Sequence, residues 1–217
     1  KPSDYVHLHN HTHHSLLDGL TKVDELVDRV KSLGMEAVAM TDHGTMSGAI
    51  EFYKAAKEAG VKPIIGVEAY VAARSRFDRD PSKDKARYHI ILLAMNETGY
   101  KNLMILTSKA NLEGMYYKPR IDHDLLEEYN EGIICLSACA SGELGENLRH
   151  DNYEEAKRVA QWYKSVFGDR YYLELQDHGH PEAPAPWDVQ VGINEHLAKL
   201  SEELDIPCVV SSDGHYL

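Results

Sequence analysis

The chain has few cysteines and no long apolar run. Only Cys135, Cys139 and Cys208 occur among 217 residues, and so sparse and odd a set argues against a disulfide framework and predicts a reducing, cytoplasmic environment. No apolar stretch approaches the roughly 18 residues that a membrane-spanning helix needs, so we expect no membrane partner. The first residues lack a basic segment followed by an apolar one, so no signal peptide is predicted.

Positive charge is also scarce, and this limits the partners that the surface can bind. Lys and Arg number 23 against 35 Asp and Glu, which gives a net charge of −12. A protein that binds nucleic acid through its general surface is normally basic. Any contact with nucleic acid must therefore run through bound cations or a neighbouring domain. The length and the hydrophobic content of 43% predict one globular domain, residues 1–217.

Histidine, by contrast, is concentrated near the start. Five of the 13 histidines fall between positions 7 and 14. His7, His9 and His11 alternate, which in an extended strand places all three on one face. Polar rings make a poor core, whereas imidazole is a common ligand of zinc, manganese and iron. We interpret the segment as a metal site rather than a purification tag or a solvated strand edge, because apolar residues interleave it and Leu16-Leu-Asp-Gly19 follows.

Strand-like and helix-like patterns alternate along the chain. Helices separate seven predicted strands, at residues 5–9, 36–41, 62–70, 88–94, 132–137, 171–176 and 207–212. This order implies a parallel sheet with right-handed crossovers, either open or closed into a barrel. We also predict a capping box from Thr21 to Asp24, an exposed, mobile loop at 72–87 and a proline-rich loop at 180–188.

Residues of the metal-ligand type follow the predicted strand ends, where parallel sheets gather their functional residues. They are His9, His11, Asp18, Asp42, His43, Glu68, Cys139, Asp213 and His215. So many exceed the four ligands that one zinc ion takes, which predicts two or more metals sharing carboxylates. His89 stands at the start of the fourth strand, where this rule would not place a ligand, so its role stays open.

Five short motifs carry most of these residues: His7-Leu-His-Asn-His-Thr12, Leu16-Leu-Asp-Gly19, Thr41-Asp-His-Gly44, Gly66-Val-Glu-Ala-Tyr70 and Ser212-Asp-Gly-His-Tyr216. These motifs resemble those of one family, the PHP (polymerase and histidinol phosphatase) domain. The intervening residues, such as 112–121 and 173–179, are similar to the N-terminal region of bacterial DNA polymerase III alpha subunits. The resemblance implies a distorted seven-stranded (β/α)7 barrel of the TIM-like type, at the start of a longer polymerase chain that works in the replisome.

The resemblance also implies a trinuclear metal centre, with zinc as the expected ion and manganese or iron as alternatives. The implied ligands are His9, His11, Asp18, His43, Glu68, His89, Cys139, Asp213 and His215. Among them we expect Asp18, His43 and Asp213 to be catalytic. Lys118 and Arg120 are candidates to bind the substrate phosphate, or they belong to a solvated turn. His14 or His178 is a candidate proton donor to the leaving group, or a plain surface histidine.

Three functions fit the sequence. The first is a phosphoesterase domain of a replicative polymerase, which removes nucleotides from DNA 3′ ends as a 3′–5′ proofreading exonuclease. The second is a free-standing phosphatase or pyrophosphatase with the same site. The third is a scaffold in which metals only brace the barrel of a larger polymerase. The match to the polymerase branch favours the first and third, whereas the full ligand set favours the first and second.

Overall fold

The computed structural model describes residues 4–178 and 187–216, so most of the predicted proline-rich loop at 180–188 lies outside the described residues. The strands in these ranges are β1 Ala37–Met40, β2 Lys62–Ala72, β3 Arg87–Ala94, β4 Met115–Tyr116, β5 Lys118–Ile121, β6 Ile133–Leu136, β7 Tyr171–Gln176 and β8 Cys208–Ser211. The helices are α1 Val23–Ser32, α2 Ala49–Ala59, α3 Glu97–Leu112, α4 His123–Glu128, α5 Glu143–Arg149, α6 Tyr153–Phe167 and α7 Trp187–Leu204. None of these helices combines the length and apolarity that a bilayer span requires.

The strands form one curled sheet whose two edges are joined by the N-terminal segment. Their hydrogen-bonded order is β4-β5-β2-β3-β6-β7-β8, and β1 pairs with the first half of β2. Residues 5–10 do not form the predicted strand but an extended segment held by single bridges. One bridge joins His7 to Val38 in β1, and another joins Asn10 to Gly214 beyond β8. The predicted α/β class and barrel-like sheet are confirmed, with this segment as the seventh member of the ring.

β3 runs against its neighbours, so the prediction of an all-parallel sheet is wrong for this strand. It pairs antiparallel with both β2 and β6, whereas β1–β2, β6–β7 and β7–β8 are parallel. Antiparallel neighbours can be joined by a loop without a crossover helix, and residues 73–86 provide that loop. Because β3 is reversed, its first residues lie at the rim where the parallel strands end. This direction places His89 at that rim.

Apolar side chains fill the inside of the ring and the space between the sheet and the helices. The inner cluster contains Ala39, Ile91, Leu93, Leu136 and Ala138. A larger cluster packs the outer face of the sheet against α3 to α7, and a third joins α1 and α2 to β1. Burial of this apolar surface is the main stabilising contribution to the fold. The filled interior leaves the rim as the place for polar chemistry.

Helix ends follow the sequence signals in part. Asp122 caps α4, since its side chain accepts a hydrogen bond from the backbone N–H of Leu125. The predicted capping box at Thr21 is wrong, because α1 begins after Lys22 without a side-chain cap. The Thr21 hydroxyl instead lies 3.5 Å from the carbonyl oxygen of His215. Thr21 thereby joins the start of α1 to the final turn of the described chain.

Ion pairs hold the connection between β2 and β3, so the prediction of a mobile loop there needs correction. Arg74 donates to both carboxylate oxygens of Asp84 at 2.9 and 2.7 Å. Arg76 donates to Asp122 at 3.0 Å and to Glu113 at 2.7 Å. The charges that made this segment look solvated therefore pair with one another and with neighbouring elements.

Arg120 lies beneath this loop, and the expectation that it binds substrate needs correction. Its side chain has no exposed surface. The guanidinium donates to the carbonyl oxygens of Gly114, Arg76 and Asp78 at 3.1, 3.0 and 2.9 Å. A buried arginine committed to backbone acceptors fastens the loop and is not presented to a ligand.

Candidate metal centre

The nine residues predicted to bind metal converge on one rim of the ring. His9 and His11 come from the N-terminal segment, His43 from the turn after β1 and Glu68 from β2. His89 comes from the start of the reversed β3, so it lies at this rim, and its role as a ligand stays a prediction. Cys139 follows β6, and Asp213 and His215 follow β8. Parallel strands bring their carboxyl ends together, and this rim is the usual place for a site in such folds.

Glu68 lies at the middle of the cluster and is almost fully buried, with 1% of its surface exposed. One carboxylate oxygen lies 2.8 Å from His89 Nδ1 and 3.4 Å from His9 Nε2. The other oxygen contacts His43 Nδ1 and lies 3.7 Å from His11 Nε2. A carboxylate placed among four imidazoles has the position of a bridging ligand.

Asp213 provides a second carboxylate in contact with His9 and His11. Its Oδ1 lies 3.1 Å from His9 Nε2 and 3.2 Å from His11 Nε2. The backbone of Asp213 has a φ of 49°, which is uncommon for a residue other than glycine. Strained conformations of this kind cluster at functional sites.

Asp18 closes the exposed side of the cluster. Its Oδ2 lies 3.0 Å from His43 Nε2 and 3.7 Å from His215 Nε2. The ring of His11 stacks with that of His43 and with that of His215, at centroid distances of 4.1 and 4.3 Å. Asp18 is the most exposed member of this group, so it faces any incoming substrate.

Cys139 stands at the edge of the cluster. Its Sγ lies 3.6 Å from His89 Nδ1 and accepts a hydrogen bond from the backbone N–H of Ser141 at 3.4 Å. His7, which the alternation placed beside His9 and His11, packs instead against the ring of Tyr5 and near the hydroxyl of Ser212. Of the three alternating histidines, only His9 and His11 therefore reach the cluster.

The chemistry of the donor set fits bound metal. Six buried polar atoms in the cluster have no hydrogen-bond partner: His9 Nε2, His11 Nε2, His43 Nδ1, Glu68 Oε1, Glu68 Oε2 and Asp213 Oδ1. Buried polar atoms without partners are costly, and a cation satisfies them. Ligand atoms come within 4.8 Å of one another in three overlapping groups: His9, His11 and Asp213; His11, His43 and His215; and His43, Glu68 and His89.

The close contacts among these side chains also shift their pKa values. Burial disfavours the charged ring of His89, but Cys139 and Glu68 outweigh burial and raise the pKa of His89 to about 10. Burial would raise the pKa of Asp213, but His9 and His11 outweigh it and lower that pKa to about 2. Burial would raise the pKa of Glu68, but the neighbouring His43 and His89 outweigh it and hold that pKa well below its usual value. The site thus keeps its carboxylates ionised, as metal ligands must be.

A buried carboxylate that the sequence analysis missed holds His9 from behind. Glu174, in the middle of β7, is fully buried, and its Oε1 lies 2.6 Å from His9 Nδ1. The same oxygen accepts hydrogen bonds from the Ser211 hydroxyl and, at 3.2 Å, from the Gln176 amide. A carboxylate behind a histidine fixes the tautomer that leaves the other ring nitrogen free for metal. The available signal was a charged residue on the same strand face as Gln176.

Asp42 organises the loop that carries the histidines. Its carboxylate accepts from the backbone N–H and hydroxyl of Thr12 at 2.6 and 2.8 Å, and from the Ser15 hydroxyl at 2.8 Å. The Ser15 oxygen also lies 3.2 Å from His11 Nδ1 and accepts from the backbone N–H of His43 at 3.1 Å. Asp42 thus orients two candidate ligands through one hydroxyl, a role that its place after a strand did not reveal.

A cleft of about 670 Å³ opens over the exposed side of the cluster. Asp18, His43 and His89 form part of its floor. Lys118 lines it, together with Arg87 and Tyr70, which the sequence analysis did not single out; the binding of phosphate by Lys118 stays a prediction. Burial, and to a lesser extent Glu68, raises the pKa of Tyr70 to about 12, so the phenol stays neutral.

The candidate proton donors have different surroundings. His14 lines the cleft, and its Nε2 lies 3.0 Å from a carboxylate oxygen of Glu51. His13 completes a further group of possible ligands with these two residues, outside the cluster around Glu68. His178 follows β7 and is partly exposed. The role of either His14 or His178 as a proton donor stays a prediction.

Solved structures share the fold. An amidohydrolase from Chromobacterium violaceum, solved with bound sulfate and no metal, superimposes with a TM-score of 0.61 at 15% sequence identity, over 97% of this chain and 87% of that one. A two-domain protein from Bacteroides vulgatus containing a predicted PHP-like metal-dependent phosphoesterase gives a TM-score of 0.57 at 14% identity, over 97% of this chain and 51% of that one. At these identities the likeness concerns the fold alone.

Curated sequences are much closer. A DNA polymerase III subunit alpha from Borreliella burgdorferi is 48% identical over 99% of this chain, and one from Treponema pallidum is 49% identical over 98%. The chain spans 18% of the length of each of these relatives. The sequence model of the PHP domain matches residues 7–178. This chain belongs to the PHP domain family.

Proposed function

We propose that this chain is the PHP domain of a DNA polymerase III alpha subunit and that it hydrolyses phosphodiesters at the 3′ end of DNA, as a proofreading exonuclease. The identity of 48–49% to named alpha subunits supports the replicative setting. The chain matches less than a fifth of their length, which supports residues 1–217 as one domain of a longer polymerase. Its partners are then the rest of that subunit and the replisome.

One observation carries the catalytic part of this proposal. Nine residues from positions 9 to 215 meet at one rim, and six of their buried polar atoms have no hydrogen-bond partner. A bound cation would satisfy such atoms, and the cleft beside Asp18 and His43 gives a substrate access to it, which a scaffold braced by metals does not require. Three overlapping groups of ligand atoms, which share His11 and His43, support more than one ion. We propose that all nine residues bind metal, with zinc as the expected ion, manganese and iron as alternatives, and three ions as the full complement.

Divalent metals held in such a site supply an activated water at neutral pH and stabilise the charge that develops on the phosphate. The protein itself positions the metal-binding imidazoles and the catalytic residues. Glu174 and Asp42 hold the imidazoles in place, so that little reorganisation is needed during the reaction. Asp18, His43 and Asp213 are the proposed catalytic residues. Asp18 and His43 line the cleft at its contact with the cluster. Asp213 Oδ1 lies 3.1 Å from His9 Nε2 and 3.2 Å from His11 Nε2.

The test compares the metal-loaded protein with the double variant His9→Ala, His11→Ala on a 5′-labelled single-stranded oligonucleotide. We expect the parent to shorten the strand from its 3′ end and the variant to lose this activity by orders of magnitude, because metal activation of water spans several pKa units. Circular dichroism confirms that the variant is folded. Activity that survives in the variant would point to a contaminating nuclease or another site.

Two further substrates separate the alternatives. A small-molecule phosphatase would cleave 4-nitrophenyl phosphate or pyrophosphate and leave the oligonucleotide intact. A scaffold would hydrolyse none of the substrates, and the double variant would differ from the parent only in melting temperature. Both results would refute the exonuclease proposal.

A further inference from the structure

Two cations stand over one wall of the cleft. The guanidinium carbon of Arg87 lies 5.9 Å from the centre of the Tyr70 ring, and Lys118 Nζ lies 5.5 Å from it. Only 5% of Tyr70 is exposed, so its ring is a covered platform for both charges. That ring lies 6.2 Å from the ring of His43 and 5.3 Å from the ring of His89. The Tyr70 ring therefore lies close to both cations and to two of the candidate ligands, His43 and His89.

The hydrogen bond of Arg87 leaves its charge available. Arg87 donates to the carbonyl oxygen of its neighbour Lys85 at 3.3 Å, which is a neutral acceptor. The chain as a whole has a net charge of −12, so a long anionic ligand is repelled except where positive charge is concentrated. A pair of cations at the entrance of a carboxylate-rich site is the kind of local feature that overcomes this repulsion.

The same cleft carries apolar surface. Leu16 is 90% exposed and Leu17 is 85% exposed, and both line the cleft beside Asp18. The Asp42 carboxylate, through Thr12 and Ser15, holds the start of this turn. Large apolar side chains that are exposed beside a polar site mark a surface for a ligand with apolar faces. Inorganic phosphate and pyrophosphate offer no such face, whereas the base of a nucleotide does.

We propose that this cleft binds the unpaired 3′ end of a single nucleic-acid strand, with Arg87 and Lys118 on phosphates next to the scissile one and Leu16 and Leu17 against the terminal bases. This inference rests on the proposed function and names the form of its substrate. Single-strand sites elsewhere combine a positively charged groove for the backbone with aromatic side chains that stack on the bases; here exposed leucines offer the contact to the bases. A paired end has its base faces stacked within the duplex, so it cannot make the second kind of contact.

The experiment measures binding and does not depend on turnover. A fluorescein-labelled oligothymidylate with phosphorothioate linkages, which resist hydrolysis, is titrated with metal-loaded protein and followed by fluorescence anisotropy. The test variant is Arg87→Gln, Lys118→Gln. The matched control is Lys54→Gln, Lys57→Gln, which removes the same net charge from helix α2, outside the cleft.

We expect the test variant to bind the single strand about tenfold more weakly or worse, because two charge-assisted contacts are lost. Each phosphate contact on a single strand contributes about 0.7 to the slope of log affinity against log salt, so the slope falls by about 1.4. The loss of affinity between about 50 and about 200 mM salt then becomes roughly sevenfold smaller in the variant than in the parent. Leu17→Ser should weaken binding without changing this slope, since it removes an apolar contact and no charge.

The outcomes separate this inference from the proposed function. Equal weakening in both double variants would mean general electrostatics and would overturn the inference, as would equal affinity of the parent for a blunt duplex of the same length. Displacement of the strand by thymidine monophosphate at the strand's own affinity would show that the cations bind no additional phosphate, and would overturn it too. Strand-specific binding without hydrolysis would refute the exonuclease proposal and leave this inference standing.

Discussion

Replacement of Glu174 by Gln tests whether the buried layer behind the rim controls metal binding. Glu174 and His9 are both fully buried, and Glu174 Oε1 lies 2.6 Å from His9 Nδ1. Because the Ser211 hydroxyl and the Gln176 amide both donate to this oxygen, they also hold the amide oxygen of the substituted side chain in place. The substituted side chain remains an acceptor of His9 but lacks the charge that favours the N–H on Nδ1.

Changes to such supporting residues typically lower metal affinity by about 10–100-fold, which corresponds to about 1.4–2.7 kcal/mol of binding free energy. We expect a loss in this range for zinc, measured by competition with a chelator of known affinity. Glu143→Gln is the matched control. Glu143 also pairs with a histidine, at 3.0 Å from His123 Nε2, but it lies in α5, outside the cluster around Glu68. Unchanged zinc affinity in a folded Glu174→Gln variant, or an equal loss in the control, would refute this reasoning.

Three further predictions concern stability. Arg120→Met should lower the free energy of unfolding by on the order of 3–5 kcal/mol, since it leaves buried carbonyl oxygens without donors; a urea titration that shows less than about 1 kcal/mol would contradict the structural role of Arg120. Removal of metal with a chelator should lower the melting temperature, because bound ions stabilise only the folded state; an unchanged melting temperature after confirmed metal loss would count against the metal centre. In the stripped protein the pKa of His89 is raised to about 10, above its unfolded value of about 6.5. Its stabilising contribution is therefore full below about pH 6.5 and is lost as the pH rises towards 10. The melting temperature of the stripped protein should fall across that range more than that of the loaded protein, in which ligated imidazoles are already deprotonated; parallel curves would exclude this explanation.

The sequence predicted the site better than it predicted the strand directions. Alternating histidines and acid–histidine pairs after apolar strands are local signals, and Asp213 and His215 were found in this way. The reversal of β3 has no comparable local signal, because a buried strand such as 88–94 has the same composition in either direction. The position of His89 followed only from that reversal. A rule based on one strand direction therefore left its role open, and only the resemblance to a family included it among the ligands.

Supporting residues were harder to recognise than ligands. Glu174 and Asp42 act through other side chains, and the partners of Glu174 are far away in the sequence, at His9 and Ser211. Arg120 was a candidate to bind the substrate phosphate, with a solvated turn as the alternative, and both readings place the side chain at the surface. Its burial depends on the carbonyl groups of a loop that begins more than 40 residues earlier. Contacts between such distant segments cannot be read from spacing or periodicity.

The two isolated bridges of the N-terminal segment have a consequence for local opening. The segment that joins the edges of the sheet is held to β1 and to the end of β8 by few backbone hydrogen bonds, and the same segment carries His9 and His11. Such a joint opens at a lower free energy than the rest of the sheet unless side-chain bonds close it. Metal bound by His9 and His11 would hold this segment in place. Metal binding and closing of the ring would then be coupled in one equilibrium. Amide hydrogens of Ala39 and His11, which donate across the joint, would then exchange with solvent at a rate set by the concentration of free metal.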